Sequence, residues 1–347
     1  MASEFSFLMC SERSGSNLLA RMLDAHPEVC SPPPAHLFRL LAEHRCRYGD
    51  LHDDTAWETL LQDTVDLLAT SVVPWRTRWS VARLRREVRA RSLGALLAHL
   101  HRAEARARGK HRLFVKENHL YRFLPLLQRT FPDLRLVILV RDPRDMALSW
   151  KNSPILRGDV VRAARVWAED QRAAMTVLGC LEPGRDVLLV TYERLIAAPE
   201  RELARICRFL ELHFDPAMLA FHRQETTQRT ARASDVWRNL ARPVLADNAG
   251  KWRRGLSPEE IACIEAVCAE PMAFFGYTAA TRPRESAETL IAHLLPRERH
   301  EKPGWRQVPA AERRIRRARE DVVRRMAARP WHTDRLLENV REAVPHA

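Results

Sequence analysis

The stretch FSFLMCSERSGSNLLARML, residues 5–23, decides the fold class. Its first six residues are almost wholly apolar, the composition of a strand covered on both faces. SERSGSN at 11–17 is a small-residue polar loop, after which Leu18, Leu19, Met22 and Leu23 fall on one helical face. Strand, short loop and helix form an anion cradle: Gly15 permits close backbone approach, and the positive end of the helix points at the guest. Ser14, Ser16 and Asn17 add short donors, and Arg13 supplies a permanent forked cation. The phosphate-binding pattern G-x-x-x-x-G-K-[ST] is missing, which argues against a magnesium-dependent kinase.

Three further β-type runs follow: LFVK at 113–116, LRLVILV at 134–140 and VLLVT at 187–191. Each leads through polar residues into helical periodicity, which predicts an α/β protein with a central parallel sheet between two helical layers. Lys116 reads as the last residue of its strand. Arg141 stands at the carboxyl end of the central run, where open α/β sheets hold their ligands. Pro143 then suits a helix start, and Ser149 lies two turns further on. The segments 160–178 and the one beginning at Pro199 read as sheet-covering helices. Residues 36–108 exceed one crossover and predict a helical insertion shaping an acceptor pocket. We divide the chain into a body, 1–280, and a basic appendage, 281–347, punctuated by Pro283, Pro296, Pro303 and Pro309. Within the appendage 312–329 reads as an arginine-dense helix. Its narrow stripe of Ile315, Val322, Val323 and Met326 suits docking on the body or on another subunit.

Composition narrows the class. The 347 residues carry 57 Lys and Arg against 44 Asp and Glu, a net charge of +13, which favours an anionic partner without choosing one. Charged residues make up 29%, and no apolar run approaches the roughly 18 to 20 residues of a bilayer crossing. The N-terminus lacks the basic region of a cleaved signal. Seven scattered cysteines without C-x-x-C spacing predict reduced thiols and a cytoplasmic protein, and the scattered histidines indicate no metal.

Four segments, in order, resemble the sulfotransferases that use 3′-phosphoadenosine 5′-phosphosulfate (PAPS): ERSGSNLL at 12–19, LVRDPRDMALSW at 139–150, VTYERLIAAPE at 190–200 and NAGKWRRGLS at 248–257. RMLDAHPEV at 21–29 and FPDLRLVILVRDPRD at 131–145 are similar to the tyrosylprotein and other Golgi-type branches. The resemblance implies that Arg13, Ser14, Gly15, Ser16, Asn17 and Leu18 hold the 5′-phosphosulfate, and Arg141 and Ser149 the 3′-phosphate. It places Tyr192 near the adenine, though a core aromatic at a strand end explains that residue equally, and Lys251, Trp252 and Arg253 over the nucleotide, where Trp252 can equally be a packing anchor. It implies no catalytic metal, release of PAP (adenosine 3′,5′-bisphosphate), and a hydroxyl acceptor on a sugar, lipid, small molecule or peptide.

In-line sulfuryl transfer needs fixed cations where negative charge develops, a part for Arg13 and Lys116, and a base for the acceptor proton. The family takes that base from one of two places, and this sequence matches neither cleanly. SPPPAH at 31–36 offers His36 where a carboxylate is usual, and KENH at 116–119 offers His119 one residue late, with Glu117 beside it. His36, on a stiff proline run, ranks first, His119 second and Glu117 third. His119 has the competing reading of a helix cap. A small-molecule kinase, or a nucleic-acid-binding module using the cluster at 313–329, is the alternative class, and a homo-oligomer is compatible with the stripe on the appendage.

Overall fold

The computed structural model describes residues 3–282, 285–299 and 301–332. Pro283 and the last part of the predicted appendage, 333–347, lie outside the described residues. Five strands, β1 (Phe5–Cys10), β2 (Val29–Cys30), β3 (Arg112–Asn118), β4 (Arg135–Val140) and β5 (Val187–Thr191), form one sheet in the order β2-β3-β1-β4-β5. All neighbouring pairs are parallel.

The two-residue side-chain period of the strands divides the core. Phe5, Phe7, Met9, Val115, Leu136 and Ile138 enter one buried cluster, whereas Leu8, Cys10, Phe114, Val137 and Leu139 enter the other. The second face is covered by α1 (Ser16–Asp24), α9 (Tyr192–Ala197) and α10 (Pro199–Phe209), which contribute Leu19, Leu195 and Ile206. On the first face lie the insertion helices α2 (Leu37–Glu43), α3 (Asp54–Ala69), α4 (Val81–Glu87) and α5 (Leu93–Ala107), with α6 (Leu124–Thr130), α7 (Pro143–Lys151) and α8 (Val160–Cys180). This is the three-layer arrangement expected from the sequence. Helices α11 (Glu225–Ala233), α12 (Trp252–Gly255), α13 (Pro258–Val267), α14 (Ala269–Phe274), α15 (Ala287–Leu294) and α16 (Ala310–Ala328) complete the described chain.

One local expectation needs correction. The strand at 113–116 runs on to Asn118, so Glu117 lies within β3, in register with Met9 of β1, and not in a loop. The two residues of β2 gave no readable period. The C-terminal helix also packs against the body: Val322 and Met326 join the main core, Arg329 pairs with Asp63 of α3, and Ser234 donates to Glu312 at 2.7 Å. Among the described residues, no helix is long and apolar enough to cross a membrane, and no three acids, histidines or cysteines gather as a metal site. All seven cysteines are free thiols.

Candidate active site

Strand order reverses at β1, which lies between β3 and β4, and the carboxyl ends of strands at such a switch point are where open α/β sheets hold their ligands. The loop leaving β1 holds two left-handed residues, Arg13 at φ 63° and Gly15 at φ 87°. Gly15 has a structural reason to be glycine: a Cβ there would lie 2.3 Å from Cδ2 of Tyr192. No side chain caps the first turn of α1, so its N–H groups point into the loop's concavity. The buried Ser14 Oγ also lacks a partner.

Arg141 comes to this same turn. It donates to the carbonyl of Arg13 and to the carbonyl of Asn248, both at 3.0 Å, and stacks 4.3 Å from the centre of the Tyr192 ring. Its Nε is buried without a partner. Arg13 donates from Nε to Ser149 Oγ at 3.1 Å. Burial and the neighbouring Arg141 cation pull the Arg13 ionisation downwards, opposed by Glu12. Two guanidinium groups, a hydroxyl and a bare helix start therefore face one space, and the orphaned buried donor on Arg141 fits a polyanionic phosphate.

The alternation of β3 separates two chemistries. Lys116 shares parity with Phe114, on the α1 face, and Glu117 shares parity with Val115, on the insertion face. Lys116 makes no hydrogen bond or salt bridge among the described residues. Glu117 is buried; its Oε1 accepts from Phe38 N at 3.2 Å, and its Oε2 lies 3.2 Å from His36 Nδ1. Burial pushes the Glu117 carboxyl up to about 7, against the pull of Arg39 and Lys116. His36 is pushed well below the usual imidazole value by burial, then by the cations Lys116, Arg39 and Arg319. His119 makes a second such pair, with Nδ1 3.0 Å from Asp170 Oδ1. Its side chain does not cap the following turn, contrary to the competing sequence reading.

A third segment closes the arrangement. Asp145 on α7 accepts from Gly250 N at 2.5 Å and from Trp252 N at 3.0 Å, and Asn248 donates to the Tyr192 hydroxyl at 2.6 Å.

A sulfotransferase family model matches residues 7–216, and a sulfotransferase domain model matches 163–276. The chain belongs to the sulfotransferase family. Among its relatives, the nodulation protein NoeE of Sinorhizobium fredii (strain NBRC 101917 / NGR234) is 26% identical over 78% of this chain. The match spans 65% of that protein, less than two thirds of its length. Protein-tyrosine sulfotransferase A of Caenorhabditis elegans is 24% identical, with 81% of this chain and 69% of its own covered. The fold is shared with the sulfotransferase domain of the Synechococcus PCC 7002 olefin synthase, at a TM-score of 0.57, 22% identity, and coverage of 79% of this chain and 94% of that one. It is shared also with the sulfotransferase domain of the curacin biosynthetic pathway, at 0.55 and 19%, covering 80% and 98%.

In this member of the sulfotransferase family the predicted residues do not all converge. Arg13, Ser14, Gly15, Ser16, Arg141, Ser149 and Tyr192 gather around one turn, with Asn17 and Leu18 on the first turn of α1. Arg13 departs from the expected geometry: its guanidinium turns to Ser149, on the side assigned by resemblance to the 3′-phosphate, because that hydroxyl is its acceptor. Lys251 and Arg253 are exposed, and Trp252 is buried between Arg144 and Arg253, 3.9 and 4.3 Å from its ring centre. Sequence reasoning missed Asn248 and Asp145, which lay inside quoted motifs, and Asp170, whose partner His119 is too remote in sequence to signal it.

Proposed function

We propose that the chain moves the sulfuryl group of PAPS to a hydroxyl acceptor by in-line displacement. The observation that carries this reading is the meeting of Arg13, Arg141 and Ser149 at the Gly15 turn, which supplies cations and bare donors for a nucleotide with phosphate groups at two positions. Ser14, Ser16, Asn17 and Leu18 would hold the 5′ side through the loop and helix start, and Arg141 and Ser149 the 3′-phosphate.

On the insertion face, His36 would take the acceptor proton at Nε2 while Glu117 accepts from Nδ1–H and fixes the tautomer. The acceptor oxygen forms a bond to sulfur as the bond from sulfur to the bridging phosphate oxygen breaks. The electron pair leaves with PAP. Lys116, on the α1 face, would offset the charge growing on that oxygen, with the α1 N-terminus assisting. Favouring His36 over His119 is its partner Glu117, which follows Lys116 directly near the carboxyl end of β3.

The test is transfer of radiolabelled sulfur from PAPS to a panel of sugar, lipid, phenol and peptide hydroxyls. The reading expects a labelled ester with matching release of PAP, lost in Arg141→Ala. Labelled transfer that persists unchanged in both Arg13→Ala and Arg141→Ala overturns the proposed site.

A further inference from the structure

Arg319 of α16 reaches into the body and makes an unusual pair of contacts. It donates from Nη1 to the carbonyl of Leu67 on α3 at 2.6 Å, and from Nη2 to the carbonyl of Ala35. Both acceptors are neutral, and Arg319 has no salt bridge among the described residues. Its charge therefore acts on what surrounds it.

Ala35 immediately precedes His36, whose backbone is left-handed at φ 52° and ψ 36°. A non-glycine residue in that region persists only where its surroundings hold it. The two peptide planes flanking His36 are each tied. Arg319 grips the Ala35 carbonyl on one side, and on the other the His36 carbonyl accepts from Leu40 N at 3.0 Å. Fixing both planes fixes φ and ψ, and so aims the imidazole at Glu117.

We propose that Arg319 is a positioning residue for the His36–Glu117 pair, so that the C-terminal helix completes the reaction centre. This rests on the reading of His36 as the base. The position is itself well anchored: Arg325 pairs with Asp63 and Asp66, Arg329 with Asp63, and Met326 is fully buried. The charged and titratable groups facing His36 are Lys116, Glu117 and His119 from β3 and its following turn, Arg39 from α2 and Arg319 from α16. Arg319 is the one among them supplied from beyond the sheet and its insertion. A cation there disfavours the imidazolium and favours the carboxylate, the pairing in which His36 Nε2 is free to accept a proton.

The experiment compares the full chain with Arg319→Gln and Arg319→Lys. Histidine-selective NMR follows the His36 imidazole across pH, with His36→Gln providing the assignment, and calorimetry with PAP reports whether the nucleotide side is intact. In Arg319→Gln, His36 is expected to gain about tenfold in proton affinity while PAP binding holds. Arg319→Lys keeps the cation and is expected to titrate as the wild type. A glutamine variant that binds PAP and titrates like the wild type overturns the proposal, as does a lysine variant that moves as far as the glutamine one. If the glutamine variant loses PAP binding through misfolding, the lysine variant decides alone: retention of the wild-type titration supports the role, and a return to an ordinary imidazole titration removes it. Failure of the wild type to bind PAP is a distinct result, which removes the sulfotransfer reading and this proposal with it.

Discussion

At His36 and Glu117, two groups with opposed ionisation share one hydrogen bond. Below about 7 the buried Glu117 carboxyl is protonated and donates to Nδ1, which leaves the hydrogen on Nε2 and no lone pair for the acceptor. Above it the carboxylate accepts from Nδ1–H, and Nε2 is free. Transfer should therefore rise with pH through about 7 and then level off, the pair titrating as a unit. Initial rates across pH check this, and Glu117→Gln should flatten that limb and slow transfer by roughly 10²-fold to 10⁴-fold. A limb centred well below 7 that survives Glu117→Gln contradicts the pairing. Gly15 gives a second expectation at this scale. Gly15→Ala forces a left-handed alanine and a Cβ into the Tyr192 ring, which should lower stability by about 1 to 3 kcal/mol in a denaturant melt. Unchanged stability would mean that the turn is looser than described.

Among the elements, the loop before α12 depends on one acid. Asp145 holds the backbone of Gly250 and Trp252, while Asn248 receives Arg141 and reaches Tyr192. Asp145→Ala leaves two backbone donors unpaired, with an expected loss of about 1 to 3 kcal/mol of stability and a weaker grip on PAP. Paired melts and calorimetry check both effects, and full PAP affinity would show that this loop does not support the nucleotide side. Four of the five strands were legible because each alternates or runs apolar at the length of a sheet-spanning segment, and the loop after β1 was legible from its small residues and glycine. The left-handed backbone at His36 and His119 was not. Neither is glycine, and what holds His36 there, a guanidinium from α16 and a carbonyl partner on α2, is invisible to local pattern. The end of β3 was misread for a related reason: a glutamate and an asparagine look like a loop until their neighbours cover them.

Across the whole molecule, four arginines on or just past α16 are tied to groups of the protein itself. Arg316 pairs with Glu312, Arg325 with Asp66, Arg329 with Asp63, and Arg319 takes backbone carbonyls. The sequence showed the basic density without the acids that answer it, which is why a nucleic-acid face was a reasonable alternative. Met326→Ala should cost about 2 to 5 kcal/mol because the side chain is fully buried in the shared core. An unchanged melt would mean that the helix contributes nothing to the fold. The central claim concerns the two stretches that meet at the Gly15 turn, and calorimetry with PAP tests it most directly. The wild-type chain should bind PAP well below millimolar concentration, with Arg13→Ala and Arg141→Ala each weakening it by roughly 1.5 to 3 kcal/mol; a folded wild-type chain that takes up no PAP, or variants that bind it equally well, would contradict the account.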